Sequence, residues 1–225
     1  TLLASSAASD VYKRQRLMRP IFKSQIRQSW KVVSLGGRLI DILKSNGARD
    51  EQVVVLPNGL DDEWFDKPSA VSKGDGIRFL MVGRNEYRKG FHVLEKALSL
   101  IDKSIELHLV GDWPKVETTR HSLTYHGVVR DKHRMMDIMD SCHVLLLPSL
   151  SEGMPTVVLE AKVRGLKVIG TDVGAMGILE SDLLLPGDSL ALAEAITEKS
   201  DFGHSQKLSE RFRWTQVAEA TSNLF

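Results

Sequence analysis

Gly83-Arg84-Asn85-Glu86-Tyr87-Arg88-Lys89-Gly90 joins a nearly continuous apolar run, 77–82, to a stretch of helical period, 91–101. A strand that is apolar along its length is buried on both faces, and a helix following it directly is the crossover that a parallel sheet needs. The same unit recurs along the chain. Strands are predicted over 105–110, 123–126, 144–147, 168–171 and 183–185, and helices over 132–139, 155–164 and 190–199. The alternation predicts an α/β domain from about Val53 onward, built as a doubly wound parallel sheet.

Upstream, Leu17, Ile21, Phe22 and Ile26 recur at helical spacing, and 30–35 reads as a short buried strand. A helix through Leu39, Ile40 and Leu43 stops at Asn46-Gly47, and a strand over 53–56 ends at the turn triplet Pro57-Asn58-Gly59. Residues 1–15 continue neither period, begin without methionine and lack the basic and apolar regions of a secretory signal. Because 5–15 resembles translated adapter read-through, 1–15 is expected to be artefactual or disordered.

Composition narrows the class. A chain of 225 residues with 42% hydrophobic residues can bury a core and build a cleft. Thirty Lys and Arg against 29 Asp and Glu argue against binding nucleic acid through bulk charge. The apolar runs fall far short of the ~20 residues that cross a bilayer. The lone Cys142 can form neither an internal disulfide nor a cysteine zinc cluster. A soluble protein of a reducing compartment is expected. Residues 1–60 hold ten Lys or Arg and four Asp or Glu; such a stretch is either a solvated helix face or a contact for anionic lipid or acceptor phosphate.

In an open parallel sheet, ligands lie outside the carboxyl ends of the strands, so the loops there carry the function. In the loop 83–90, Gly83 lets the strand end turn and Gly90 frees the entry to a helix whose N–H groups favour an anion. Arg84 and Lys89 can converge on a diphosphate as a fork and a point charge; the alternative is a surface turn with stray charges. The loop is no P-loop, because Phe91-His92 follows Gly90, and it does not spell the dinucleotide fingerprint. In the loop 148–155, Gly153 admits close main-chain approach and Pro155 suits a first helical position. Glu152 and Glu160 can face one pocket and accept hydrogen bonds from sugar and ribose hydroxyls, or else be a capping and a solvated carboxylate. No Asp-x-Asp occurs in the chain, which removes the usual metal–diphosphate clamp. His108, His126 and His143 read as core or strand-end residues.

Taken together, these loops resemble the donor-binding domain of the retaining glycosyltransferases of family 4, which have the GT-B fold. The matching stretches are Pro57-Asn58-Gly59-Leu60-Asp61, Gly83-Arg84 to Lys89-Gly90, His126-Gly127-Val128, and Pro148-Ser149 through Glu152-Gly153-Met154-Pro155 to Glu160-Ala161. Phe212-Arg213-Trp214 to Val217-Ala218 is similar to the family's last helix. The resemblance implies a Rossmann-like carboxy-terminal half of a GT-B enzyme over 57–225 and the remnant of an amino-terminal acceptor domain over 16–56. It implies Arg84, Lys89 and Glu152 as catalytic residues. Gly83, Gly111, Val129, Arg130, Gly153, Met154, Pro155 and Glu160 would bind a nucleotide-diphosphate sugar, with Glu160 on the ribose and the base against the backbone of Val129 and Arg130. No cofactor, metal or nucleic acid is implied. The acceptor, a glycan or lipid-linked sugar, is left open, and the location expected is cytoplasmic, peripheral at the inner face of a membrane. A chain lacking the acceptor domain is expected to be inactive by itself. Gly111-Asp112-Trp113-Pro114 departs from the family's Gly-Asp-Gly-Pro and is expected to narrow the nucleotide end of the cleft. A non-catalytic nucleotide-sugar-binding module and a sugar-nucleotide epimerase of the same fold are the alternatives.

Overall fold

The computed structural model describes residues 19–66, 76–180, 182–198 and 208–223. The expectation for 1–15 therefore falls outside the described residues. The first described elements are a helix α1 over 19–28, a strand β1 (Val32–Ser34), a helix α2 (Arg38–Ser45) and a strand β2 (Val53–Val55). β1 and β2 pair in parallel across α2, so the segment is one small βαβ unit.

Thereafter strands and helices alternate as β3 (Arg78–Val82), α3 (Phe91–Leu100), β4 (Glu106–Val110), β5 (Ser122–Gly127), α4 (Lys132–Asp140), β6 (Val144–Leu147), α5 (Thr156–Val163), β7 (Lys167–Thr171), β8 (Leu183–Leu184) and α6 (Ser189–Glu198). The chain closes with α7 (Trp214–Ser222). β3 to β8 form one wholly parallel sheet in the order β5-β4-β3-β6-β7-β8. Side-chain alternation along the strands feeds two cores. Leu80, Leu145, Leu147 and Val168 point to the face covered by α4 and α5. Phe79, Met81, Val144, Leu146 and Ile169 point to the face covered by α3 and α6. Every residue of β6 is buried, as its uninterrupted apolar sequence requires. The fold is the doubly wound α/β sheet expected from the alternation.

Two details differ from expectation. Pro155 precedes α5 as its extended cap residue (φ −72°, ψ 110°) instead of occupying the first helical position. The last helix begins at Trp214, because a short 3-10 turn, Glu210–Phe212, takes up the residues before it.

The ends of the domain are tied together. Leu60 donates to the carbonyl of Phe212 (2.8 Å), and Trp214 donates back to that of Leu60 (3.1 Å). Arg164, at the end of α5, makes a buried two-point ion pair with Asp140 at the end of α4, its Nε 2.8 Å from Oδ1. The same guanidinium donates to the carbonyl of Asp66 at 2.9 Å, fixing the segment that leaves the βαβ unit. That unit docks on the loop after β7, where the N–H of Arg38 reaches the carbonyl of Gly174 (2.9 Å) and its guanidinium pairs with Asp172. Among the described residues, no helix is long and apolar enough to cross a membrane.

Candidate functional site

The strand order reverses between β3 and β6. The chain first adds β4 and β5 on one side of β3, then crosses over to lay β6 on the other. Helices leave in opposite directions there, opening a crevice at the carboxyl ends of the two strands. The loops that meet in it are 83–90 and 148–155. They touch closely: Gly90 adopts a left-handed conformation (φ 72°), and a Cβ on it would stand 1.9 Å from the carbonyl oxygen of Pro148. The N–H of Leu150 donates to the carbonyl of Arg88 at 2.7 Å.

This approach brings charged side chains together across the crevice. The Nζ of Lys89 donates to Oε1 of Glu152 at 2.7 Å, and the hydroxyl of Ser149 donates to the same oxygen at 2.8 Å. Arg88 reaches the other oxygen with Nη1 at 3.4 Å, while its Nε holds Glu86 at 2.7 Å. Glu86 also receives Arg84, at 3.0 Å. Exposure grades outward through the cluster: the side chain of Glu152 is 6% exposed, Lys89 15%, Arg88 41% and Arg84 77%. The hydroxyl of Thr171, at the end of β7, donates to the carbonyl of Ser149 and fixes that loop from below.

Beside the cluster is a cleft of about 260 Å³ lined by Gly83, Arg84, Lys89, Gly111, Asp112 and Val129 with neighbours from β3, β4 and α4. Its floor is main chain packed on main chain. Gly111 has φ 134°, and a Cβ there would lie 1.9 Å from the carbonyl oxygen of Gly83. Asp112 accepts the N–H of Asn85 at 2.9 Å, joining the loops after β3 and β4. Trp113 does not narrow this cleft, contrary to expectation. Its indole needs both a hydrogen-bond acceptor and an apolar bed. It finds them by turning inward, donating to the carbonyl of Val110 (3.0 Å) and stacking on Phe91 at 5.0 Å. Gly83 is small for the same reason, since a Cβ would press on the Trp113 ring at 3.2 Å. A larger hollow of about 930 Å³, lined in part by Glu95 and His121, lies by the amino end of β5 and contains none of these residues.

The loop 152–155 is locked from two sides. The carbonyl of Gly153 accepts the N–H of Ala175 at 2.7 Å. Met154 is buried, with its carbonyl taken by the side-chain amide of Asn58 (3.1 Å) and its sulfur by the Asn58 N–H (3.1 Å). Glu160 lies one turn into α5, above Thr156. Burial pushes its carboxyl up to about 7, against a smaller downward pull from the Thr156 hydrogen bond.

Of the residues singled out by sequence, the fold therefore places Gly83, Arg84, Lys89, Gly111 and Val129 on one cleft and joins Lys89 directly to Glu152. Arg84 faces the same cleft but pairs with Glu86 rather than Glu152. Arg130 is exposed and outside the cleft lining. Gly153, Met154 and Pro155 form the link from Glu152 to α5. Sequence reasoning gave no role to Arg88, Glu86, Ser149 or Asn58; only the spacing of Ser149, three residues before Glu152, carried a usable signal. His108 and His126 bond to each other (2.9 Å), and burial, His108 and Arg134 hold His126 below its ordinary value. His143 accepts the N–H of Arg78 at 3.0 Å.

A family model described as group 1 glycosyl transferases matches residues 76–199. TuaC of Bacillus subtilis, a glycosyltransferase named for teichuronic acid biosynthesis, is 39% identical over 121 residues, covering 52% of this chain and 31% of TuaC. The gpi3 subunit of the Schizosaccharomyces pombe phosphatidylinositol N-acetylglucosaminyltransferase is 28% identical over 200 residues, covering 78% of this chain and 43% of gpi3. The chain thus spans about a third to two fifths of the length of these relatives. Among solved structures, Anabaena HepE in complex with UDP and glucose superposes with a TM-score of 0.72 at 20% identity, over 93% of this chain and 66% of HepE. Likeness at that identity is one of fold.

Proposed function

The chain belongs to the group 1 glycosyltransferases, and from that premise we propose that it forms the donor side of a retaining, metal-independent family 4 transferase using a nucleotide-diphosphate sugar. The observation that carries the reading is the 2.7 Å contact between Lys89 and Glu152 at the strand-order reversal, beside a cleft that Arg84 also lines. Fold neighbours solved with UDP occupy the same architecture.

In this reading Arg84 and Lys89 hold the diphosphate, and the backbone of Gly83, Gly111, Val129 and Arg130 borders the nucleoside. Glu160 accepts the ribose hydroxyls. Glu152 and the main chain of Gly153, Met154 and Pro155 meet the sugar. Sugar transfer builds negative charge on the departing diphosphate. Cations fixed in advance at that place stabilise it more in the transition state than in the ground state. Glu152 is suited to orienting the sugar and not to attacking it, because Lys89 and Ser149 already occupy one oxygen and Arg88 flanks the other.

Residues 57–225 would hold the donor and 16–56 would stand on the acceptor side. The acceptor is a glycan or a lipid-linked sugar. Arg19, Lys23, Arg27 and Lys31, interleaved with exposed Ile21, Phe22 and Trp30, suit a peripheral contact with anionic lipid at the inner face of a membrane.

The test is substitution in an enzyme shown to transfer sugar with this domain as its donor side. Arg84→Ala and Lys89→Ala should each lower kcat/KM by the equivalent of about 1.5–3 kcal/mol, the scale of a charged hydrogen bond. Full activity with both substitutions would remove the assignment.

A further inference from the structure

Glu152 is the most enclosed charge of the cluster, and the ammonium of Lys89 is committed to it. A diphosphate entering the cleft requires that same ammonium. A carboxylate 6% exposed and stripped of its cation would be strongly disfavoured and would repel the incoming phosphates. The cluster already holds a replacement. Arg88 stands with Nη1 3.4 Å from the second oxygen of Glu152, longer than the Lys89 contact, while its Nε is held at 2.7 Å by Glu86. A guanidinium has five N–H donors in a rigid fork, so it can serve both carboxylates at once.

We propose that Arg88 is a positioning residue that holds Glu152 in place while Lys89 turns to the donor's diphosphate, and that Glu86 restrains it and Arg84 until the donor enters. The inference rests on the reading of this cleft as the diphosphate site. It follows from charge and reach: three cations face two carboxylates, and only Arg88 touches both carboxylates. The backbone carbonyl of Arg88, which accepts Leu150 at 2.7 Å, does not depend on the side chain, so the two loops stay joined when the guanidinium is removed.

The experiment is calorimetric titration of the chain with inorganic pyrophosphate and with UDP at low ionic strength, where these charges are least screened. Arg88→Ala should weaken both ligands about three- to tenfold, and Arg88→Lys should recover part of the loss. Glu86→Gln should act in the opposite direction, tightening both about two- to fivefold by releasing two arginines. In a Glu152→Gln background, Arg88→Ala should cost less than about twofold, because the charge it serves is gone. Unchanged affinity in Arg88→Ala, or an equal loss with and without the Glu152 charge, would overturn the inference while leaving the donor site standing. Wild-type protein that binds neither ligand would overturn both. Should Arg88→Ala fail to fold, Glu86→Gln and Arg88→Lys decide: unchanged binding in both refutes the restraint and the handover.

Discussion

Glu160→Gln should make the protein more stable, and only above a certain pH. The carboxyl of Glu160 moves from 4.5 in the unfolded chain to about 7 in the fold, chiefly because burial penalises its charged form. Below pH 4.5 it is protonated in both states and contributes no difference. As the pH rises to about 7 the unfolded chain gives up its proton freely while the folded protein resists. Folding stability therefore falls through that window, by about 3 kcal/mol at 1.36 kcal/mol per pH unit. Glutamine keeps the shape and never ionises. The variant should match wild type at pH 4 and exceed it by about 3 kcal/mol at pH 8, read as urea-unfolding midpoints multiplied by a common slope. In the proposed reading the same variant also loses affinity for any ligand carrying a ribose diol, since a carboxylate accepts from two hydroxyls where an amide oxygen accepts less strongly. A stability gap that stays constant from pH 4 to pH 8 would show that the carboxyl is not desolvated, and the argument from burial would fail.

Two further substitutions test the frame on which the cluster stands. Gly90→Ala places a methyl 1.9 Å from the Pro148 carbonyl at φ 72°, so the two loops must separate; a loss of about 3 kcal/mol in thermal or urea unfolding is expected, with weaker pyrophosphate binding. Arg164→Ala takes the two-point ion pair from a carboxylate that is 1% exposed and should cost about 3–5 kcal/mol, whereas replacing Arg164 and Asp140 together by Met and Leu should restore most of it, as judged from the unfolding midpoints of the three variants.

How much of this could be read in the sequence follows from the range of each cause. β6 was legible to the residue because four consecutive apolar side chains have one explanation, burial on both faces. The α/β alternation and its winding follow from similar local signals. The pairing of Lys89 with Glu152 joins residues 63 positions apart and depends on β6 lying beside β3, which loop composition alone does not dictate. Within 83–90, spacing could not say which of three cations turns inward. The short 3-10 turn Tyr87–Lys89 decides it, leaving Arg84 in solvent and directing Arg88 and Lys89 to Glu152. Trp113 misled for a comparable reason: its bulk was legible, but the acceptor at Val110 and the ring of Phe91 that draw it inward are three-dimensional facts.

The two acidic residues of the loop and helix after β6 show why such a site costs stability. Each is a carboxylate withdrawn from water, and each is treated differently. Glu152 is given a cation and a hydroxyl, which fix its orientation. Glu160 has a hydrogen bond from Thr156, and burial lifts its carboxyl to about 7. A fold selected for stability alone would do neither, since apolar side chains of similar volume replace buried charges with no loss or with a gain. In the proposed reading the difference has a chemical basis. Next to a diphosphate a carboxylate must arrive already neutralised, or it drives the ligand out. Next to a ribose it needs empty acceptor positions, because the hydroxyls bring the donors and, by bonding to the charged form, pull the carboxyl back below 7 as the ligand binds.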